Sequence, residues 1–270
     1  MNIDLISITT SQPQKQVLFI KNSFQNISKI KVNNKFVGID MVGGQDLFPG
    51  TLKFLNDFNY IYDQHPLNGM INNLSTVIDL LESEWVLYAE DDVRINEIPD
   101  LDKLLKFINH EANTNVGIID LMAGRGIKFT PDAHEAYKSN ATNPSSYFKF
   151  DDYTLWLRTN ESIDDFFINF PVLIIRREIF QECFAVAKEL FKGSTIEVGF
   201  TKAFKHLNLQ DKYSKVHIFK TMPELDVLKN MNATDISLEY FNNILLMDNK
   251  DTAPGLDFSV SHSHPCSYAF

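Results

Sequence analysis

Nine residues constrain this chain more than any others: Trp85-Val86-Leu87-Tyr88-Ala89-Glu90-Asp91-Asp92-Val93. Five residues suited to a buried strand run directly into three consecutive carboxylates. A strand covered on both faces tolerates such charge only where the chain leaves the sheet, because an unpaired ionised group in an apolar layer is costly. Three adjacent acids also repel one another, so a positive partner is expected among them. A hard divalent cation such as Mg²⁺ or Mn²⁺ meets that need, since it takes oxygen ligands and bridges carboxylates to substrate phosphates. The plainer alternative is a solvated acidic turn.

The surrounding pattern alternates strand and helix. Ile3–Thr10 is a β-rich run, and Ser11 with Pro13 marks a helix start after it. Val17, Ile20, Phe24 and Ile27 recur at spacings of three and four, which predicts one apolar helix face. A second strand is expected over 36 to 42, ended by Gly43-Gly44, and a short third at Tyr60–Tyr62, with a loop between them. Ile71, Leu74, Ile78 and Leu81 define the helix that leads into the acidic strand. Leu101, Leu104, Leu105 and Ile108 define the helix after it, and 116 to 121 is another strand. This alternation predicts an α/β fold, a mostly parallel sheet with helices on both faces.

Beyond it, 122 to 165 is dominated by Gly, Pro, Asn, Ser and charged residues, with one strand expected at 153 to 157. An irregular stretch of that length suits a lid or binding loop. Strand character returns over 170 to 176 and 215 to 219, and two helices between them are expected, the first carrying Ile179, Phe180, Cys183, Phe184 and Ala187. A last helix is expected over 235 to 247, before an irregular tail holding His262 and His264. With no repeat or linker in sight, 1 to 270 reads as one domain: 1 to 121, 122 to 220 on a second side of the site, and 221 to 270 as helix and tail.

A net charge of −10 argues against a nucleic-acid partner, which favours a basic face. Two cysteines are too few for a disulfide framework, and Cys183 reads as a small core residue. No apolar run approaches the roughly 18 residues of a membrane span. The start carries Asp4 and no basic leader, so a cytoplasmic location is expected.

Taken together, these residues resemble the GT-A-fold glycosyltransferases, in a family-two-like form with Glu90-Asp91-Asp92 as an EDD variant of their DxD motif. The resemblance implies a nucleotide-sugar donor, with UDP as the nucleotide, a glycan or other hydroxyl acceptor, inversion, and Mn²⁺ or Mg²⁺. It implies Asp92 as the metal ligand, and Glu90 and Asp91 on the ribose and sugar. Thr9 and Asp40, at the tips of the first two strands, fall where such enzymes hold the base. After the strand and Arg176-Arg177 turn, Glu197 opens the second helix in the place of the base that deprotonates the acceptor. His262 falls where a tail histidine can join the metal.

Two departures accompany the likeness. Those enzymes usually have two acids at the helix opening, where this chain has Glu197 followed by Val198; and no Arg or Lys lies between Asn68 and Leu81. Two rivals remain. A sugar-phosphate nucleotidyltransferase carries a Gly-rich basic loop after its first strand, where this chain reads Ser11-Gln12-Pro13-Gln14-Lys15-Gln16. A non-catalytic carbohydrate-binding relative suits the 22 phenylalanines, although most lie on helical stripes.

Overall fold

A computed structural model describes residues 3–41, 46–62, 70–91, 93, 95, 98–110, 115–121, 147–151, 153–158, 168, 170, 172–194 and 196–219. Asp92, His262, His264, Thr195, most of 122 to 165 and the helix expected at 235 to 247 lie outside the described residues.

The strands are β1 (Ile3–Thr10), β2 (Lys35–Asp40), β3 (Tyr60–Tyr62), β4 (Trp85–Glu90), β5 (Val116–Asp120), β6 (Tyr147–Phe150), β7 (Tyr153–Arg158), β8 (Val172–Arg176) and β9 (Ser214–Phe219). They form a single sheet in the order β3-β2-β1-β4-β8-β5-β9-β7-β6. Only β8 and β7 run against the other strands. The antiparallel direction of β8 is not legible in its sequence, because Val172-Leu173-Ile174-Ile175 is apolar on both faces and reads alike either way.

Among the described residues, six α-helices cover the two faces. On one face lie α1 (Pro13–Lys29), α2 (Pro49–Asp57) and α4 (Leu101–His110), packed with Leu5, Val37, Ile39, Leu87 and Ile119. On the other lie α3 (Met70–Ile78), α5 (Arg177–Leu190) and α6 (Ile196–His206), packed with Ile6, Ile8, Val86, Tyr88 and Leu173. This is the expected α/β class. Cys183 is fully buried among α5's apolar residues, and burial pushes its thiol pKa up.

Two elements exceed the sequence expectation. Helix α2 occupies the stretch read as loop; Pro49 at its first turn is the signal, and only Thr51, Phe54 and Leu55 are buried. Strand β7 has a hairpin partner, β6, joined through Asp151 at φ 48°.

Helix α1 departs from its apolar stripe. Val17 and Phe24 are 59% and 53% exposed, whereas Lys15, Gln16, Asn22, Ser23 and Asn26 are buried beside Phe19. Lys15, Phe19, Asn22 and Asn26 are four, three and four residues apart, hence on one helix face. That face is oriented by hydrogen bonds. Gln16 alone accepts from Phe48 N at 2.7 Å and Thr51 Oγ1 at 2.8 Å, and donates to Ser11 O at 2.6 Å. A buried amide so satisfied costs little to desolvate.

Close approach of α5 to the sheet requires a glycine in β5. A Cβ on Gly117 would lie 2.5 Å from Ile179 Cδ1 and 2.8 Å from Tyr213 Cβ. Gly117→Ala is therefore expected to destabilise the fold by about 1–3 kcal/mol through overpacking. Urea unfolding followed by circular dichroism checks this; an unchanged midpoint would mean that α5 can shift away.

Candidate functional site

Parallel pairing brings the ends of three strands together. Thr10 of β1 pairs with Asp40 of β2, and Ile8 of β1 pairs with Glu90 of β4. The acidic turn thus emerges beside the tips of the first two strands, at the carboxyl edge where open α/β sheets bind ligands.

The edge has two sides, set by strand alternation. Thr9 follows Ile3 and Leu5 toward the α1 layer, whereas Thr10 follows Ile6 and Ile8 toward the α3–α5–α6 layer. By the same parity Asp40 follows Phe36 and Gly38, the latter lying under Leu74 of α3. Glu90 follows Val86 and Tyr88 to that same side.

Asp91 belongs to the α1 side. Its carboxylate accepts from Lys15 Nζ at 2.9 Å and from Thr9 Oγ1 at 3.1 Å. The Lys15 and Asp91 side chains are 7% and 2% exposed. The positive partner that the acidic run demands is thus, for Asp91, an ammonium within the fold. Below it, Asn22 Nδ2 donates to Asp91 O at 2.8 Å, Asn26 Nδ2 donates to Val93 O at 3.1 Å, and Ile95 N donates to Asn26 Oδ1 at 2.7 Å. One face of α1 therefore holds the chain where it leaves β4. The resemblance puts Asp91 on the donor; in the structure its carboxylate faces α1, continuing the alternation of Trp85, Leu87 and Ala89 toward that layer.

Asp40 and Glu90 are both half-buried. Burial raises the Asp40 pKa above its ordinary value of 3.8. Nearby, fully buried Asn73 on α3 donates to Ile39 O at 2.7 Å and so closes the end of β2.

Glu197 stands in the first turn of α6 and is half-buried. Its edge follows from the chain path. Strand β8 starts against Ala89 and ends against Trp85, α5 returns, and α6 descends to β9, whose Ser214 pairs with Val116 at the start of β5. One turn after Glu197, Phe200 packs on Phe170 at 4.6 Å between ring centres, and Phe170 packs on Tyr88 at 4.9 Å. The opening of α6 therefore lies at the same edge as the acidic turn, on the layer that Asp40 and Glu90 face.

The Arg176-Arg177 turn lies at the opposite edge. Arg176 stacks over Trp85 at 4.7 Å and pairs with Glu84 at 3.0 Å, and Arg177 donates to Leu81 O and Glu82 O. Both arginines have structural partners there.

Among the described residues, no three His, Cys, Asp or Glu side chains converge as a metal site. None of the described helices is long and apolar enough to cross a membrane. Sequence reasoning missed Lys15, Asn22 and Asn26; their signal was polar residues at helical spacing in a helix whose apolar stripe drew the eye.

No protein-family model and no curated protein matches the sequence. Among solved structures, a mannosyltransferase from Pyrobaculum calidifontis in complex with GDP-Man and Mn²⁺ aligns over 83% of this chain and 55% of its own, at 12% identity and a TM-score of 0.45. The chain thus spans about half the length of that enzyme. Residues 1–349 of S. aureus TarS align over 80% of this chain and 60% of theirs, at 16% identity and 0.45. A 4-diphosphocytidyl-2C-methyl-D-erythritol synthase from Anaerococcus prevotii aligns over 84% and 94%, at 13% identity and 0.41. Likeness this distant assigns no activity.

The raised Asp40 pKa has a measurable consequence. A carboxyl whose folded pKa lies above its unfolded value favours the fold below the unfolded pKa and loses that contribution as pH rises through the folded one. Asp40→Asn removes the ionised form, so its melting temperature should slightly exceed that of the unaltered protein at neutral pH. The gain should fade below the ordinary value of 3.8. A variant less stable at every pH would show that the Asp40 charge is compensated.

Proposed function

We propose that this protein is a metal-dependent glycosyltransferase of the GT-A type, using a nucleotide-diphosphate sugar, with UDP as the nucleotide, and a glycan or other hydroxyl acceptor. One observation carries the reading: the acidic turn after β4 adjoins the ends of β1 and β2, and is held there by α1. A loose acidic surface turn has no need of a buried ammonium and two amide side chains to fix its course.

In this reading the base lies over the ends of β1 and β2 with Asp40 accepting from a base N–H, while Thr9, fully buried and turned toward α1, holds Asp91 behind the site. Glu90 faces the ribose and sugar from the side that Asp40 shares. Asp92 would hold Mn²⁺ or Mg²⁺, with His262 as a further ligand from the tail; a carboxylate oxygen suits such a hard cation. The bound cation supplies neutralisation of the charge that builds on the departing nucleoside diphosphate.

Glu197 is the base. It takes the proton from the acceptor hydroxyl, whose oxygen attacks the anomeric carbon from the side opposite the leaving diphosphate, giving inversion. Its position in the first turn of α6 favours the ionised carboxylate that this task requires, since the helix dipole stabilises negative charge there. The aromatic stack of Tyr88, Phe170 and Phe200 beneath excludes water from that side of the edge.

A screen of nucleotide-sugars with Mn²⁺, read by release of nucleoside diphosphate, tests the reaction; release from none would reject it. Thermal shift with UDP against nucleoside triphosphates, each with Mn²⁺, separates glycosyl from nucleotidyl transfer, and stabilisation by triphosphate alone would reassign the site. Glu197→Gln is expected to lose turnover by about a hundredfold or more with donor binding retained. Undiminished turnover would place the base elsewhere.

A further inference from the structure

We infer that Lys15 is a positioning residue of the donor site: it tethers Asp91 and thereby fixes the course of the acidic run where it leaves β4 beside the ligand. The inference rests on the donor-site reading and deepens it.

Three observations lead here. First, the tether is buried at both ends, with Lys15 Nζ 2.9 Å from Asp91 Oδ1 and both side chains under a tenth exposed. Taking an ammonium and a carboxylate from water is costly, and such a pair commonly adds no net stability over apolar packing. Where ion pairs of this kind are retained, fixing geometry is their best-supported use. Second, the tether acts at the residue where the chain stops being a strand. Glu90 is the last residue of β4, and Asp91 is already in a turn. The β4 register puts the Glu90 side chain on the Asp40 side of the sheet, and the tether fixes the very next residue to α1. Third, the tether is one end of a row. Asn22 and Asn26 on the same helix face hold Asp91 O, Val93 O and Ile95 N. Among the described residues, Lys15 binds a side chain of the acidic run, whereas the two amides bind backbone.

The same geometry separates Lys15 from a diphosphate-binding lysine. Its ammonium meets the Asp91 carboxylate and is nearly inaccessible to solvent, so its effect on a ligand is exerted through the turn.

The test uses the full chain and UDP with Mn²⁺, measured by titration calorimetry at a temperature where circular dichroism shows each variant folded. Asp91→Asn keeps an acceptor oxygen for Lys15, and its Nδ2 can donate to the Thr9 hydroxyl that now donates to Oδ2, so its affinity should stay within about threefold of the unaltered protein. Lys15→Met/Asp91→Asn removes the tether without stranding a buried charge, so it remains foldable even if Lys15→Met alone does not. It should bind about tenfold or more weakly than Asp91→Asn, the range found when an outer support of a site is lost. A purely structural pair would lower the melting temperature of the double variant and leave its affinity equal to that of Asp91→Asn; that result overturns the inference. Loss of about tenfold or more in Asp91→Asn itself also overturns it, by showing that the carboxylate touches the ligand. Tighter binding by Asp91→Asn does so too, by showing that the freed ammonium reaches the diphosphate. If the unaltered protein binds no nucleoside diphosphate with Mn²⁺, the donor-site reading itself fails, and this inference with it.

Discussion

An ammonium and a carboxylate, each almost cut off from water, meet at 2.9 Å where α1 leaves β1 and the chain leaves β4. Losing one partner of a buried pair costs about 3–5 kcal/mol, whereas exchanging both for apolar groups is often neutral. The pair is therefore a constraint before it is a source of stability. It obliges α1 to present a polar face to the acidic turn, and that obligation explains why Val17 and Phe24 of an apparently amphipathic helix stand in solvent. Gln16 extends the same logic to α2, whose first turn it holds through Phe48 N and Thr51 Oγ1.

From that constraint follows a sheet edge with two unlike sides. Toward α1, Thr9, Lys15, Asn22 and Asn26 close on Asp91, Val93 and Ile95, with the buried Asn22 Oδ1 left without a hydrogen bond. Toward α3, α5 and α6 lie the half-buried carboxylates of Asp40 and Glu90, and burial raises the Asp40 pKa. An acid kept in surroundings that disfavour its charge detracts from stability. Local conflicts of that kind concentrate at sites retained for something other than folding. The buried ties toward α1, set against half-buried acids on the other side, distinguish this edge from an acidic surface turn.

Much of the framework was legible because its signals are local. Runs such as Ile3–Thr10 and Trp85–Glu90, and the spacing of Leu101, Leu104, Leu105 and Ile108, specify element type through periodicity alone. The weaker local signals were harder to read. Helix α2 has only three buried residues and begins Pro49-Gly50, which reads as a turn. The direction of β8 is invisible in a run that is apolar on both faces. At the site, the closeness of Thr9, Asp40 and the acidic run followed from strand order in a parallel sheet. The demand for a positive partner was also legible from charge repulsion, but its source was not. Lys15 is 76 residues away in sequence from Asp91, and nothing in either neighbourhood names the other.

By itself, then, the sequence determined the α/β class, the strand that ends in acids, and the need for a counter-charge, because hydrophobic period and like-charge repulsion act between near neighbours. The tertiary structure alone decided which acid is held inside and which faces the open side, which face of α1 is buried, and at which sheet edge α6 opens. Those outcomes depend on contacts between segments far apart in the chain. A periodic pattern reports the type of an element, and only packing reports what it is turned toward.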